Sequence, residues 1–179
     1  MTMREAGQIL TIMQTVYPDS FRGQSDEALS AMVRVWAQIF ADESFDDVAN
    51  AVYAHMATST DKFMPVPGTI KAKLHDIANP DAMTEDEAWR IIAKALRNGG
   101  LYNSREEFDK LPAELRKIVH DPMQLKEWAM MDEETVQSVV ASNFRRSYRV
   151  SVAHKKELDM LPQDVRAAIS STVGRMRLE

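Results

Sequence analysis

The sequence predicts an all-α protein of two small helical units: an N-terminal four-helix domain over residues 1–80 and a C-terminal helical domain over 84–179 containing one long helix. Three observations predict it. Apolar residues recur at steps of three and four along most of the chain, the spacing of one helical face. No stretch alternates apolar and polar residues as a half-buried strand does. The segment NPDAM (79–83) interrupts the pattern and coincides with a change in charge. Residues 1–83 hold 6 basic and 11 acidic side chains, whereas residues 84–179 hold 16 of each.

The elements follow in order. A first helix runs up to Tyr17, with Ile9, Met13 and Val16 as its apolar positions, and Pro18 stops it. In SDEALSAMVRVWAQIF, Leu29, Met32, Val33, Trp36 and Phe40 share a face, Ser25 caps, and Asp26 and Glu27 sit at the positive end. In SFDDVANAVYAHMA, Ser44 caps a face of Phe45, Val48, Ala49, Val52, Tyr53 and Met56. A fourth helix begins around Thr69, with Ile70, Leu74 and Ile77 as its stripe. Beyond NPDAM, Thr84 and Glu87 form a capping box before Ala88, Ile91, Ile92, Ala95 and Leu96, and Gly99-Gly100 ends that helix. Ser104 and Glu107 read as a second box. DKLPAELRKIV (109–119) is echoed by DMLPQDVRAAI (159–169), with Asp, Leu, Pro and Arg coinciding. Proline at a first helical position followed by an acid is helix-start chemistry in both.

Composition sets bounds on function. Apolar residues make up 45% of 179, enough for a globular core. A net charge of −5 gives no overall attraction for nucleic acid, so such affinity would need a local patch. The absence of cysteine excludes disulfides and thiolate chemistry and fits a reducing cytoplasm. The N-terminus MTMREAGQIL lacks a sustained apolar core, so no signal peptide is expected there, and no run approaches a membrane span. The reading is a soluble cytoplasmic protein.

The Pro/Gly island in DKFMPVPGTIKAKLHDI (61–77) raises the question of a phosphate cradle. A nucleotide loop needs G-x-x-x-x-G-K-[ST], whose amides and lysine converge on phosphate. Gly68 stands alone, its spacing to Lys71 is wrong, and Pro65 and Pro67 remove amide donors. The island reads as a helix–helix corner. The four histidines lack metal-ligand spacing, and acid pairs such as Asp46-Asp47 and Glu106-Glu107 lie where helix starts explain them. No catalytic constellation, cofactor site or metal site is read from the sequence.

The densest chemistry lies in Thr135–Lys156, which holds no acid and five bases. On one helix from Glu133 to about Leu158, 100° per residue aligns Arg145, Arg149 and Lys156, with Arg146 beside them and Ser138 and Ser142 extending the stripe. Val136, Val140, Phe144 and Tyr148 form the opposite, buried side. Guanidinium groups so spaced suit phosphates or carboxylates. The contact is to a partner protein, to DNA, or to acidic helices of the same chain.

Taken in order, VYPDSF (16–21), Trp36, KFMPVPGTI (62–70), the block from Glu87 to Val119, a tryptophan turn at Trp128 and NFRRSYR (143–149) resemble the phage replicative helicase loader/inhibitor family, the replisome-organiser accessory proteins of phages of Gram-positive bacteria. The resemblance spans about residues 5–150. It implies a non-enzymatic DNA-replication adaptor in the bacterial host cytoplasm. Such a protein binds the hexameric replicative helicase, restrains it, and delivers it to an origin complex through a phage origin-binding protein. It also implies that the C-terminal region is the helicase-contacting part, disordered in many members, whereas residues 161–179 here read as helical. The residues expected to touch a partner or, weakly, DNA are Arg145, Arg146, Arg149 and Lys156. Two other classes fit the same residues: a DNA-binding accessory protein and a phage protein that binds a host factor.

Overall fold

The structure, a computed structural model, describes residues 1–99 and 101–176. Gly100 of the expected glycine stop and the last three residues of the expected C-terminal helix lie outside the described residues. Every regular element among the described residues is helical, as the spacing predicts. The chain divides into two compact units, one of residues 1–80 with 156–179 and one of residues 81–155. One boundary therefore falls at Pro80, and a second falls between Lys155 and Lys156, where the sequence reading has a single division.

The first unit begins with α1 (Met3–Val16), α2 (Asp26–Ile39), α3 (Phe45–Thr58) and α4 (Pro67–Ala78). Thr2 and Glu5 satisfy each other's backbone amides at the start of α1, and the Ser25 and Ser44 hydroxyls accept from the third helical amide of α2 and α3. Ile9, Met13, Trp36, Phe40, Val48, Val52 and Ile70 are almost completely enclosed, and the Trp36 and Phe40 rings stack at 5.3 Å. Each such side chain contributes about 1.5–3 kcal/mol by leaving water. Three expected core positions are instead about half exposed: Val16, Tyr53 and Ile77. Val16 and Ile77 occupy last turns, past the neighbours that would cover them, and the buried role near Val16 passes to Tyr17. Tyr53 is one residue, hence 100°, from Val52, which takes the inward position.

The α4 helix starts at Pro67, two residues before the expected Thr69. Proline at the first helical position has the required φ and no amide to leave unpaired. The island is thus a corner whose glycine has open space around it, with Phe63 exposed at the tip.

The second unit holds α5 (Glu85–Gly99), α6 (Ser104–Lys110), α7 (Ala113–Val119), α8 (Pro122–Met130), α9 (Glu133–Thr135) and most of α10 (Ala141–Met160). Its core gathers Trp89 and Ile92 from α5, Leu115 and Val119 from α7, Leu125 from α8, and Val140, Phe144 and Tyr148. The expected Thr84 box forms, with Thr84 N–H donating to Glu87 and Glu87 N–H donating to Thr84 Oγ1. The Ser104 box does not form. Helix α6 already includes Ser104, and the half of the box that Glu107 would supply is lost because its carboxylate turns inward to Lys110 at 2.9 Å. Trp128 lies within α8 rather than in a turn.

The long helix is present from Glu133 to Met160, with one irregularity. Between α9 and α10, residues Val136–Val140 form a π turn, which widens the coil by one residue. Uniform 100° steps therefore do not carry Ser138 onto the stripe of Arg145. The C-terminal helix α11 (Gln163–Met176) belongs to the first unit.

Because the apolar core of the first unit is drawn wholly from residues before Lys73, with Leu74 packed against it, a fragment of residues 1–80 should fold alone. Circular dichroism with thermal melting checks this: a helical spectrum and a cooperative transition are expected, and a featureless coil spectrum would contradict it.

Candidate partner interface

The basic residues of α10 are met by acids. Arg145 Nε donates to Asp86 Oδ1 at 2.8 Å, with its guanidinium 5.9 Å from the centre of the Trp89 ring. Arg149 Nη2 reaches both Glu85 oxygens, at 2.8 and 2.9 Å. Between them, the Tyr148 hydroxyl donates to the Met83 carbonyl at 2.8 Å. Side chains at i, i+3 and i+4 of α10 thus close on the first turn of α5. The acids there already face the positive helix end, and the arginines add a second partner. Glu85 accordingly raises the pKa of Arg149 through hydrogen bonding and then charge.

Lys155 pairs with Glu114 of α7. Lys156, in the first unit, donates to Asp76 Oδ1 of α4 at 2.6 Å, and this hydrogen bond is the main cause holding the Asp76 carboxyl below its usual range. A carboxyl depressed in the folded state adds stability above its ordinary pKa and loses it as pH falls through the lowered value. Arg146 is exposed and makes no ion pair among the described residues. The structure therefore brings Arg145 and Arg149 together on one α5 end and leaves Arg146 open to solvent. The pairs are solvent-exposed on at least one side, so each contributes about 0–1 kcal/mol.

The Lys71 of the former phosphate question is inside. Its ammonium lies 2.7 Å from Glu43 Oε1 and 5.4 Å from the centre of the Phe40 ring, and the side chain is 5% exposed. All of its charge is answered internally, which removes it as a phosphate ligand. It borders an open cavity of about 250 Å³ lined also by Leu74, His75 and Asp159. The His75 Nδ1 there is buried without a hydrogen bond, 3.6 Å from Asp76 Oδ1. No group of three or more His, Cys, Asp or Glu among the described residues has metal-binding geometry. Among the described residues, no helix is long and apolar enough to cross a membrane.

Sequence reading missed the Glu43–Lys71 pair and a contact from Asp42 to Gln163, whose N–H donates to Asp42 Oδ2 at 2.7 Å. The partners are 28 and 121 residues apart. Nothing local marks either pair.

Two measurements follow from this geometry. A double-mutant cycle on Glu85 and Arg149, read by urea unfolding, should give a coupling of about 0.5 kcal/mol that shrinks in high salt; a coupling indistinguishable from zero at low salt would exclude the pair from solution. Lys71→Ala should destabilise by about 2 kcal/mol through an unpaired Glu43 and lost stem packing. Adding Glu43→Gln to it should recover part of that loss, and no recovery would show that the stem alone matters.

Comparison with known proteins assigns the N-terminal part. Residues 1–71 match the family model for the N-terminal domain of the phage SPP1 helicase loader, which supports a phage helicase loader family for this chain. The matched residues end at Lys71 and so cover α1 to α3 and the start of α4. No curated protein and no solved structure matches the chain.

Proposed function

We infer, from the helicase-loader N-terminal domain matched by residues 1–71, that the protein is a non-enzymatic phage DNA-replication adaptor. It binds the hexameric replicative helicase, restrains it, and delivers it to an origin complex in the host cytoplasm, where a phage origin-binding protein is its second partner. The domain match is the observation that carries this reading. The internal commitment of Lys71 is in keeping with it, since a loader without its own motor acts through surfaces.

The contact we assign is the α10 surface of Arg145, Arg146 and Arg149, with Lys156 as a further basic contact. Arg146 is free to engage a helicase carboxylate at once. Arg145 and Arg149 must exchange Asp86 and Glu85 for the partner's acids. Exposed pairs cost only about 0–1 kcal/mol to break, whereas a well-made charged hydrogen bond across a desolvated interface is worth about 1.5–3 kcal/mol. The exchange is therefore favourable where the interface excludes water. The same surface would meet DNA phosphates in the alternative reading. There Glu85 and Asp86 beside the arginines oppose the approach of a polyanion.

Co-elution with the host's hexameric replicative helicase, at low and moderate salt, tests the reading. Wild type should co-elute with the hexamer, and Arg146→Ala should weaken the complex about tenfold, with unfolding stability changed by less than about 0.5 kcal/mol. Absence of a complex for wild type would remove the adaptor reading. Undiminished binding by an Arg145, Arg146 and Arg149 triple alanine variant would move the contact elsewhere. Binding to duplex DNA alone, with a steep salt slope, would favour the DNA reading.

A further inference from the structure

The turn from Phe40 to Ser44 collects several parts of the first unit. The Met1 ammonium donates to the carbonyls of Phe40, Ala41 and Glu43, the Glu43 side chain holds Lys71, and Ser44 caps α3. Asp42, exposed in the same turn, accepts from the first amide of α11.

That last contact stands out when the two copies of the repeated motif are compared. In the first copy, Leu111, Leu115 and Val119 are buried in a core that holds α7 in place. Their counterparts Leu161 and Val165 are only partly covered, and Ile169 is 43% exposed. Helix α11 therefore lacks the apolar burial that stabilises its twin. It also lacks a cap of its own. The residue before it is Pro162, which has no side-chain acceptor, and the amide that a local Ser or Asp would satisfy is satisfied by Asp42 instead. An isolated helix of 14 residues is marginal in water. Arg166 braces only the corner, donating to the Asp159 and Leu161 carbonyls.

We propose that α11 is a strap whose folding depends on the α2–α3 turn: Asp42 lends it the missing cap, and when that contact opens the segment becomes coil. The strap is thus an order–disorder element whose equilibrium is set by one exposed carboxylate. By linkage, anything that binds the helical form of α11 tightens the Asp42 contact, and anything that reshapes the turn releases the helix. This holds whatever the protein's partner is.

Hydrogen exchange of amides 166–172 in the full chain tests it, with the amides of α3 as an internal control. Wild type should show measurable protection there, and Asp42→Ala should lower it about fivefold, the size of a lost cap, with α3 unchanged. Asp42→Asn, which keeps a capping oxygen, should retain most of the protection. Gln163→Pro is the second arm. Proline suits a first helical position but deletes the donated hydrogen, so a strap that needs Asp42 loses protection, whereas a self-sufficient helix keeps or gains it. Wild-type protection in both Asp42→Ala and Gln163→Pro, or no protection in wild type, would overturn the proposal.

Discussion

A chain folded into short helices has many helix starts, and each start leaves backbone amides without a carbonyl to receive them. That constraint governs much of this molecule. Thr2, Ser25, Ser44, Thr84, Asp121 and Asp132 each accept from an amide within the first turn of the helix they open. Glu5 and Glu87 return the favour to the backbone of the capping threonine, which holds both carboxyls below their usual range. Acids at helix starts are therefore structural first, and the acidic surplus of the N-terminal part is in large measure a record of where helices begin.

The same acids decide how the basic face of α10 is used. Glu85 and Asp86 sit beside the Thr84 cap, and Arg145 and Arg149 come to them because Phe144 and Tyr148, on the buried side of the helix, are fixed in the core. Packing sets the helix, the helix sets the arginines, and the arginines find charges that were already there. A face arranged this way is ordered before any partner arrives. Its guanidinium groups hold defined geometry at small cost in stability, which suits repeated making and breaking of a contact.

Much of this was readable because local rules carried it. The period of Leu29, Met32, Val33, Trp36 and Phe40 located α2, and Thr84 with Glu87 located the start of α5, through interactions spanning three or four residues. Where the reading failed, the deciding contact was distant. Glu107 looked like half of a capping box until Lys110 and the core claimed it. Tyr53 looked inward until the exact rotation of α3 favoured Val52. The tie between Asp42 and Gln163 could not be seen at all, because neither residue type nor spacing announces a cap supplied from another part of the chain. The N-terminal family match and the candidate face lie in different units, so motif order pointed to a kind of protein without pointing to its contact residues.

The π turn at Val136–Val140 has a bearing on how the chain tolerates change. It is one residue of slack in the longest helical run. Losing a residue there would let the coil relax to ordinary α geometry, whereas losing one anywhere in α10 would swing Arg145 and Arg149 a quarter turn or more away from Glu85 and Asp86. Length variation among relatives should therefore collect at the wide turn and stay out of the stretch between Phe144 and Arg149. The molecule has a place where its sequence can be miscounted without consequence, and it sits one turn ahead of the place where it cannot.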